Sequence, residues 1–370
     1  MLESAVLSHE KLGALFTLLT GQGYEVIGPC VRDEVIVYEP ILDASALPWG
    51  WRDKQDAGRY RLRQSGAPHG FAFAASPQSW KRYLHPARRM LWQGDKRNAS
   101  FTAAAAPTPD KRHAFFGVRA CDLAAIAVQD RVLIEGAYSD EYYAAVRRQA
   151  LIIAVNCSHP SATCFCQSME TGPACAKGFD LCLTEIVDEG GHRFLIEAGS
   201  AKGQALCDRL PLARLEEADK AAARRVTESA AANMVRALDT RDLPARLIAQ
   251  PEHPRWQEVA ARCLACANCT MVCPTCFCTD VADKTDITGN HAARWQLWAS
   301  CFTLDFSHAA GGPVRASTPA RYRQWLTHKL ATWHEQFGTS GCVGCGRCIA
   351  WCPAGIDLTE EAAAIAGDFR

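Results

Sequence analysis

The sequence predicts an α+β protein: an N-terminal α/β region containing a strand–helix–strand unit, then a helical, cysteine-dense C-terminal domain interrupted by a long insertion. Three observations carry this expectation. An apolar strand, a helix and a second apolar strand follow one another across residues 114–155. Two cysteine runs of one spacing lie after residue 260. No apolar run approaches the ~20 residues that a membrane helix needs. The 370 residues carry 40 basic and 40 acidic side chains, 48% hydrophobic content and 19 cysteines. At ~100–200 residues per domain this length suits two or three domains. Zero net charge argues against a broad nucleic-acid footprint, which needs clustered Lys and Arg. Met1-Leu2-Glu3-Ser4 opens without a basic n-region or an apolar h-region, so a cytoplasmic location is expected. In a reducing compartment, so many cysteines point to metal ligation before disulfides.

Taken in order, residues 1–20 read as a short amphipathic helix. Residues 24–27 and 34–38 alternate like paired strands around a Gly28-Pro29 turn. Residues 79–92 read as a helix whose Lys81, Arg82, Arg88 and Arg89 form a solvated basic face beside Trp80, Tyr83 and Trp92; docking to a partner subunit is the sharper alternative. The alanine- and proline-containing stretch 103–109 reads as a linker. The unit that follows has strands at 114–118 and 151–155 and a helix at 122–132, and such a crossover is normally right-handed with parallel strands. Residues 181–187 and 193–198 flank Asp188-Glu189-Gly190-Gly191 as a hairpin. Residues 212–238 are alanine-rich and helical. Pro251 and Pro254 then mark a boundary near residue 250. The expected organisation is an α+β region at 1–110, an α/β domain at 111–250 and a third domain at 251–370.

The third domain carries the chemistry. Cys263-Leu-Ala-Cys266-Ala-Asn-Cys269-Thr-Met-Val-Cys273-Pro274 and Cys342-Val-Gly-Cys345-Gly-Arg-Cys348-Ile-Ala-Trp-Cys352-Pro353 both read C-x2-C-x2-C-x3-C-P. This is the spacing of bacterial ferredoxins that hold [4Fe–4S] clusters. Three thiolates within seven residues wrap one face of a cubane, and the fourth reaches round to the other cluster. The expected ligand sets are therefore Cys263, Cys266, Cys269 and Cys352 for the first cluster, and Cys342, Cys345, Cys348 and Cys273 for the second. Structural zinc needs only four ligands in knuckle pairs, and fits two complete runs poorly. The domain is thus a two-[4Fe–4S] ferredoxin-like module with residues 274–341 inserted. In that insertion Thr318 and Pro319 open a helix, an aromatic stripe of Tyr322, Trp325, Leu326, Leu330, Trp333 and Phe337 packs it, and Gly338 ends it.

A third [4Fe–4S] cluster is expected upstream. Cys121 and Cys157 follow neighbouring strands at their carboxyl ends, where open α/β sheets place ligands, and the next loop adds Cys164 and Cys166. Zinc or plain buried thiols are the alternatives there. Cys30, Cys175, Cys182 and Cys207 are isolated, and ordinary buried side chains are expected. Cys276, Cys278 and Cys301 lack an evident fourth partner and are expected to pack around the ferredoxin core. His291, His308 and His328 lack ligand spacing, and solvated or capping roles are expected. No G-x-G-x-x-G follows a strand, no phosphate loop is present, and no nucleophile–base set can be built. Thus neither a nucleotide nor a flavin is expected on this chain, and no catalytic centre. Arg347, between two ligands of the second cluster, would favour its reduced form if it faces inward.

With these motifs in view, the chain resembles the iron–sulfur β-subunit family of cytoplasmic nickel–iron (sulf)hydrogenases, to which the A subunit of anaerobic sulfite reductase also belongs. The resemblance covers nearly the whole chain. Its carriers are Ser79-Trp80-Lys81-Arg82, Phe116-Gly117-Val118-Arg119-Ala120-Cys121-Asp122-Leu123, Thr163-Cys164-Phe165-Cys166 and Thr171-Gly172-Pro173. Cys273-Pro274-Thr275-Cys276-Phe277-Cys278 and the Cys342–Cys348 run complete the set. The resemblance implies a subunit that relays electrons between a flavin- and NAD(P)-binding reductase partner and other redox centres. It also implies a catalytic nickel–iron (or sirohaem) partner with its own small iron–sulfur subunit. The hydrogenase complex is the leading expectation, anaerobic sulfite reductase the second, and a zinc-stabilised scaffold without redox activity the alternative from another class.

Overall fold

The computed structural model describes residues 4–367 apart from residues 75, 98–99 and 108–109. A seven-stranded sheet forms the frame. Its order runs Val35–Pro40, Tyr24–Arg32, Arg112–Val118, Leu151–Val155, Leu181–Asp188, Gly191–Ala198, Ser4–Ser8. The four strands from Tyr24–Arg32 to Leu181–Asp188 are parallel, and antiparallel strands finish both edges. Ala114 to Val118 and Leu151 to Val155 are buried, as central parallel strands covered on both faces must be. One face packs on helix Leu12–Gly21 through Leu15, Phe16 and Leu19. The other packs on helices Ala120–Leu133 and Glu141–Gln149 through Leu123, Ile126, Tyr143 and Val146. The expected strand–helix–strand unit is present, with the second helix added before the return strand.

Several local expectations are corrected. Residues 1–20 are not one helix: the β-prone Ser4–Ser8 pairs with Gly191–Ala198, and the helix begins at Leu12. The first hairpin does not turn at Gly28-Pro29. Its strand runs on to Arg32 and turns at Asp33 and Glu34, both at positive φ. Pro29 is tolerated because the parallel neighbour pairs only as far as Ile27, so a missing N–H beyond it breaks no ladder bond. Residues 79–92 hold a helix only at Lys81–Leu84. Pro86 ends it, and Arg88–Arg97 is a strand. Its basic face is not simply solvated: Lys81 is buried, and Arg89 pairs with Asp140 at 2.7 Å. The stretch read as a linker contains strand Ser100–Ala105, while residues 108–109 lie outside the described residues. The alanine-rich helix spans only Glu217–Ala232. The insertion helix is capped by Ser317, which accepts from Ala320 N–H, and Gly338 in the left-handed region ends it as expected.

The insertion does more than lengthen the C-terminal module. Its hairpin, Thr279–Thr285 with His291–Trp298, joins Arg88–Arg97 and Ser100–Ala105 in one four-stranded sheet. Residues from both ends of the chain therefore meet beside the cysteine runs. Around those runs a second apolar core gathers Trp256, Val259, Phe302, Tyr322, Trp325, Leu326, Ile349 and Leu358. Buried Glu361 ties it to the preceding helix through Arg255 at 2.6 Å and through Arg262. His291 is half exposed and pairs with Asp95 at 2.9 Å, whereas His328 meets Gln336 at 3.1 Å.

Candidate metal centres

The two cysteine runs fold into the same backbone shape. Ala265 and Ala267 of the first run and Gly344 and Gly346 of the second all take positive φ, between +51° and +72°. Alanine rarely adopts this region, so its use at two positions marks a loop held by what it surrounds. In both loops the residue two past the first cysteine donates its N–H to that thiol at 3.4 Å, Ala265 to Cys263 and Gly344 to Cys342. Each loop leads into a one-turn helix carrying the third cysteine, Asn268–Met271 and Arg347–Ala350.

Packing decides where glycine is required. A Cβ on Gly344 would stand 2.6 Å from the backbone of Cys166, and one on Gly346 would stand 2.3 Å from the carbonyl of Thr163. The Thr163–Cys166 loop lies directly on the second run, fixed by the Phe165 N–H to Gly344 carbonyl bond of 2.8 Å. In the first run Cys266 is exposed, and alanine suffices.

The fold brings the thiols of the two runs close to one another. Cys263, Cys266, Cys269 and Cys352, with Cys348, line one apolar cavity that has Phe302, Tyr322 and Trp325 among its walls. Cys348 lies within electrostatic reach of Cys342, Cys345 and Cys273, and also of Cys269 across the gap between the sets. Burial raises most of these thiols, Cys342 to about 12, which would keep them protonated without a metal. Cys273 moves the other way, because the Cys276 thiol and the Lys329 ammonium both favour its thiolate. The donor set, the N–H···S bonds and the enclosed apolar walls fit cubane clusters. Among the described residues no three His, Cys, Asp or Glu side chains converge tightly enough for a single metal ion.

Of the four upstream cysteines, Cys157, Cys164 and Cys166 face one another, with burial raising Cys164 to about 12. Cys121, in the first turn of helix Ala120–Leu133, faces Cys166 and also Cys345 of the second run. Cys175 adjoins this group, its thiol bonded to Cys182 and its N–H to Asn156 Oδ1 at 2.7 Å. Cys30, Cys182 and Cys207 are buried in the sheet layers.

Sequence reasoning missed Arg119 and Lys329 among the buried cations around these thiols and left the direction of Arg347 open. Arg119 is 1% exposed and donates to the carbonyls of Phe71 at 2.7 Å and Phe73 at 3.0 Å beside Cys157. Arg347 does face inward: it is fully buried, donates to the Ser76 carbonyl at 2.7 Å and pairs with Asp122 at 2.8 Å. Arg119 thus holds the backbone at Phe71 and Phe73, and Arg347 holds it at Ser76. Lys329 is buried too, with Nζ 3.3 Å from Cys273 Sγ, 3.1 Å from Thr275 Oγ1 and 3.1 Å from the Gly341 carbonyl. Its position was legible, since it falls inside the apolar stripe between Trp325 and Trp333.

A family model described as a 4Fe-4S dicluster domain matches residues 262–356. The chain is 32% identical to sulfhydrogenase 2 subunit beta of Pyrococcus furiosus over 251 residues, covering 67% of this chain and 72% of that protein. No solved structure matches the chain. Among the described residues, no helix is long and apolar enough to cross a membrane.

Proposed function

The chain belongs to the family of sulfhydrogenase iron–sulfur β-subunits, and from that premise we propose that it relays single electrons through a row of clusters between a flavin- and NAD(P)-binding reductase subunit and a nickel–iron catalytic subunit. As an iron–sulfur electron-transfer subunit of a sulfhydrogenase-like complex, it needs no bond chemistry of its own. The observation supporting the relay reading is the serial closeness of the thiol sets. The Thr163–Cys166 loop lies on the second run through the Phe165 N–H to Gly344 carbonyl bond. Cys166 and Cys121 are within electrostatic reach of Cys345, and Cys348 is within reach of Cys269.

On this reading Cys121, Cys157, Cys164 and Cys166 hold one [4Fe–4S] cluster. Cys342, Cys345, Cys348 and Cys273 hold the middle one. Cys263, Cys266, Cys269 and Cys352 hold the outermost, and Cys266 is exposed where a partner can approach. When bound, each cluster supplies a one-electron couple. The chain's own part is to supply thiolates, exclude water with Phe302, Tyr322 and Trp325, and set the local charge with Arg119, Arg347 and Lys329. Hydride chemistry would fall to a flavin on a partner, and the complex would work in the cytoplasm.

Anaerobic purification from the native source tests the assignment. The expected result is co-purification with a flavoprotein and a nickel-containing chain, and bleaching of the cluster absorbance under hydrogen. A sirohaem-containing partner in place of nickel would transfer the proposal to sulfite reduction. A chain that purifies without iron would end it.

A further inference from the structure

Seven cysteines remain outside the proposed clusters, and three of them, Cys276, Cys278 and Cys301, follow one another closely around one hairpin. The hairpin Thr279–Thr285 with His291–Trp298 closes with Thr279 opposite Trp298, and the ladder runs one step further, where Ala299 N–H donates to the Cys278 carbonyl at 2.8 Å. The chain then turns at Ser300, with Thr303 N–H on the Ser300 carbonyl at 3.0 Å, and this returns Cys301 to Cys278. On the incoming side Phe277 packs away against Trp333 and Phe337. Alternation in extended chain therefore puts Cys276 and Cys278 on the opposite side.

That side holds two buried ammonium groups. Lys329 Nζ lies 3.6 Å from Cys276 Sγ. Lys81 Nζ donates to the Cys276 carbonyl at 3.1 Å and stands 3.8 Å over the Trp298 ring. Each lysine is 4% exposed, and among the described residues neither has a carboxylate partner. A buried cation calls for negative charge beside it. Lys329 already meets Cys273 Sγ of the middle set at 3.3 Å. Lys81, by contrast, has the thiols of Cys276, Cys273 and Cys278 within electrostatic reach and no carboxylate partner among the described residues. Packing alone does not explain Lys81.

We propose that Cys276, Cys278 and Cys301 hold a further iron–sulfur cluster of the three-thiolate type, a three-iron cluster in the oxidised state, with Lys81 and Lys329 as its counter-charges. An oxidised three-iron cluster with three thiolates carries two negative charges, which would offset Lys81 and the side of Lys329 that meets Cys276. No fourth cysteine is then missing. Cys276 adjoins Cys273 of the middle cluster and Cys301 adjoins Cys269 of the outermost, so the site would exchange one electron with either neighbour.

Electron paramagnetic resonance of the full-length, anaerobically purified chain tests this. Four-iron cubanes are diamagnetic when oxidised, whereas a three-iron cluster is paramagnetic. The expected result is a spin-half signal in the thionine-oxidised chain that disappears on reduction, and its loss in Cys278→Ser and Cys301→Ser. The cubane spectra of both reduced variants should persist. An oxidised wild-type chain without the signal, but with normal reduced cubane spectra, overturns the proposal and leaves the relay reading standing. So does a signal that keeps full intensity in both variants. Absence of every cluster signal would instead sink the relay reading, and this inference with it.

Discussion

Replacing Lys329 by methionine removes a buried positive charge while keeping most of the side-chain volume. Its Nζ stands 3.3 Å from Cys273 Sγ, and no carboxylate among the described residues offsets it. The electron added to the middle cluster spreads over the cube, roughly 6 Å from that charge. At an effective dielectric of about 20 the attraction is about 3 kcal/mol. With ~59 mV and ~1.4 kcal/mol both equal to a tenfold change for one electron, this is about 120 mV. Lys329→Met should therefore lower the midpoint of the middle cluster by roughly 100 mV, read by redox titration with paramagnetic-resonance detection. The pair Arg347 and Asp122 provides a control, because Arg347→Gln with Asp122→Asn removes a neutral unit joined at 2.8 Å. Its shift should be clearly the smaller. An unchanged midpoint in Lys329→Met would refute the assignment of Cys273 to that cluster, or the electrostatic reasoning itself.

Cys352→Ala should abolish the cluster of Cys263, Cys266 and Cys269, not that of its neighbours in sequence, Cys342, Cys345 and Cys348. Loss of the signal tuned by Lys329 instead would show the ligands are not interleaved. Gly344→Ala places a Cβ 2.6 Å from the Cys166 backbone and should displace the Thr163–Cys166 loop, costing the upstream cluster while both ferredoxin-type clusters remain; unchanged iron content would contradict this. Glu185 is buried, and although burial pushes its carboxyl up, hydrogen bonds with His192 and from the Gly70 and Phe71 N–H groups, with His69 3.7 Å away, outweigh this and hold it at about 2. Its folded pKa lies below the unfolded value, so its contribution of about 3 kcal/mol is present above about pH 5 and fades as pH falls toward 2. The stability gap between wild type and Glu185→Gln, measured by urea unfolding, should narrow from pH 6 to pH 4; a gap that widens would contradict the assignment.

The eight ferredoxin-type cysteines were legible because their chemistry is written in adjacent residues. A cubane demands fixed spacing, and spacing survives in one dimension. The parallel strands at 112–118 and 151–155 were legible for a similar reason, since burial on both faces leaves uninterrupted apolar runs. The hairpin that adds Thr279–Thr285 and His291–Trp298 to the strands at 88–105 was not. Its pairing spans almost two hundred residues, and its faces are half polar. Lys81 was hidden because it reads as part of a solvated basic face until the fold closes over it, and the direction of Arg347 stayed open, because both reach backbone carbonyls of distant segments. The role of glycine at Gly344 and Gly346 was half visible: the run-to-run difference from Ala265 and Ala267 stood in the sequence, but the loop that explains it comes from residues 163–166.

Quantification of iron and acid-labile sulfide in the anaerobically purified chain tests the central claim most directly. Paired ferredoxin-type clusters require at least eight of each per chain, with broad visible absorbance that bleaches on reduction by dithionite. A colourless chain containing zinc and no labile sulfide would contradict it.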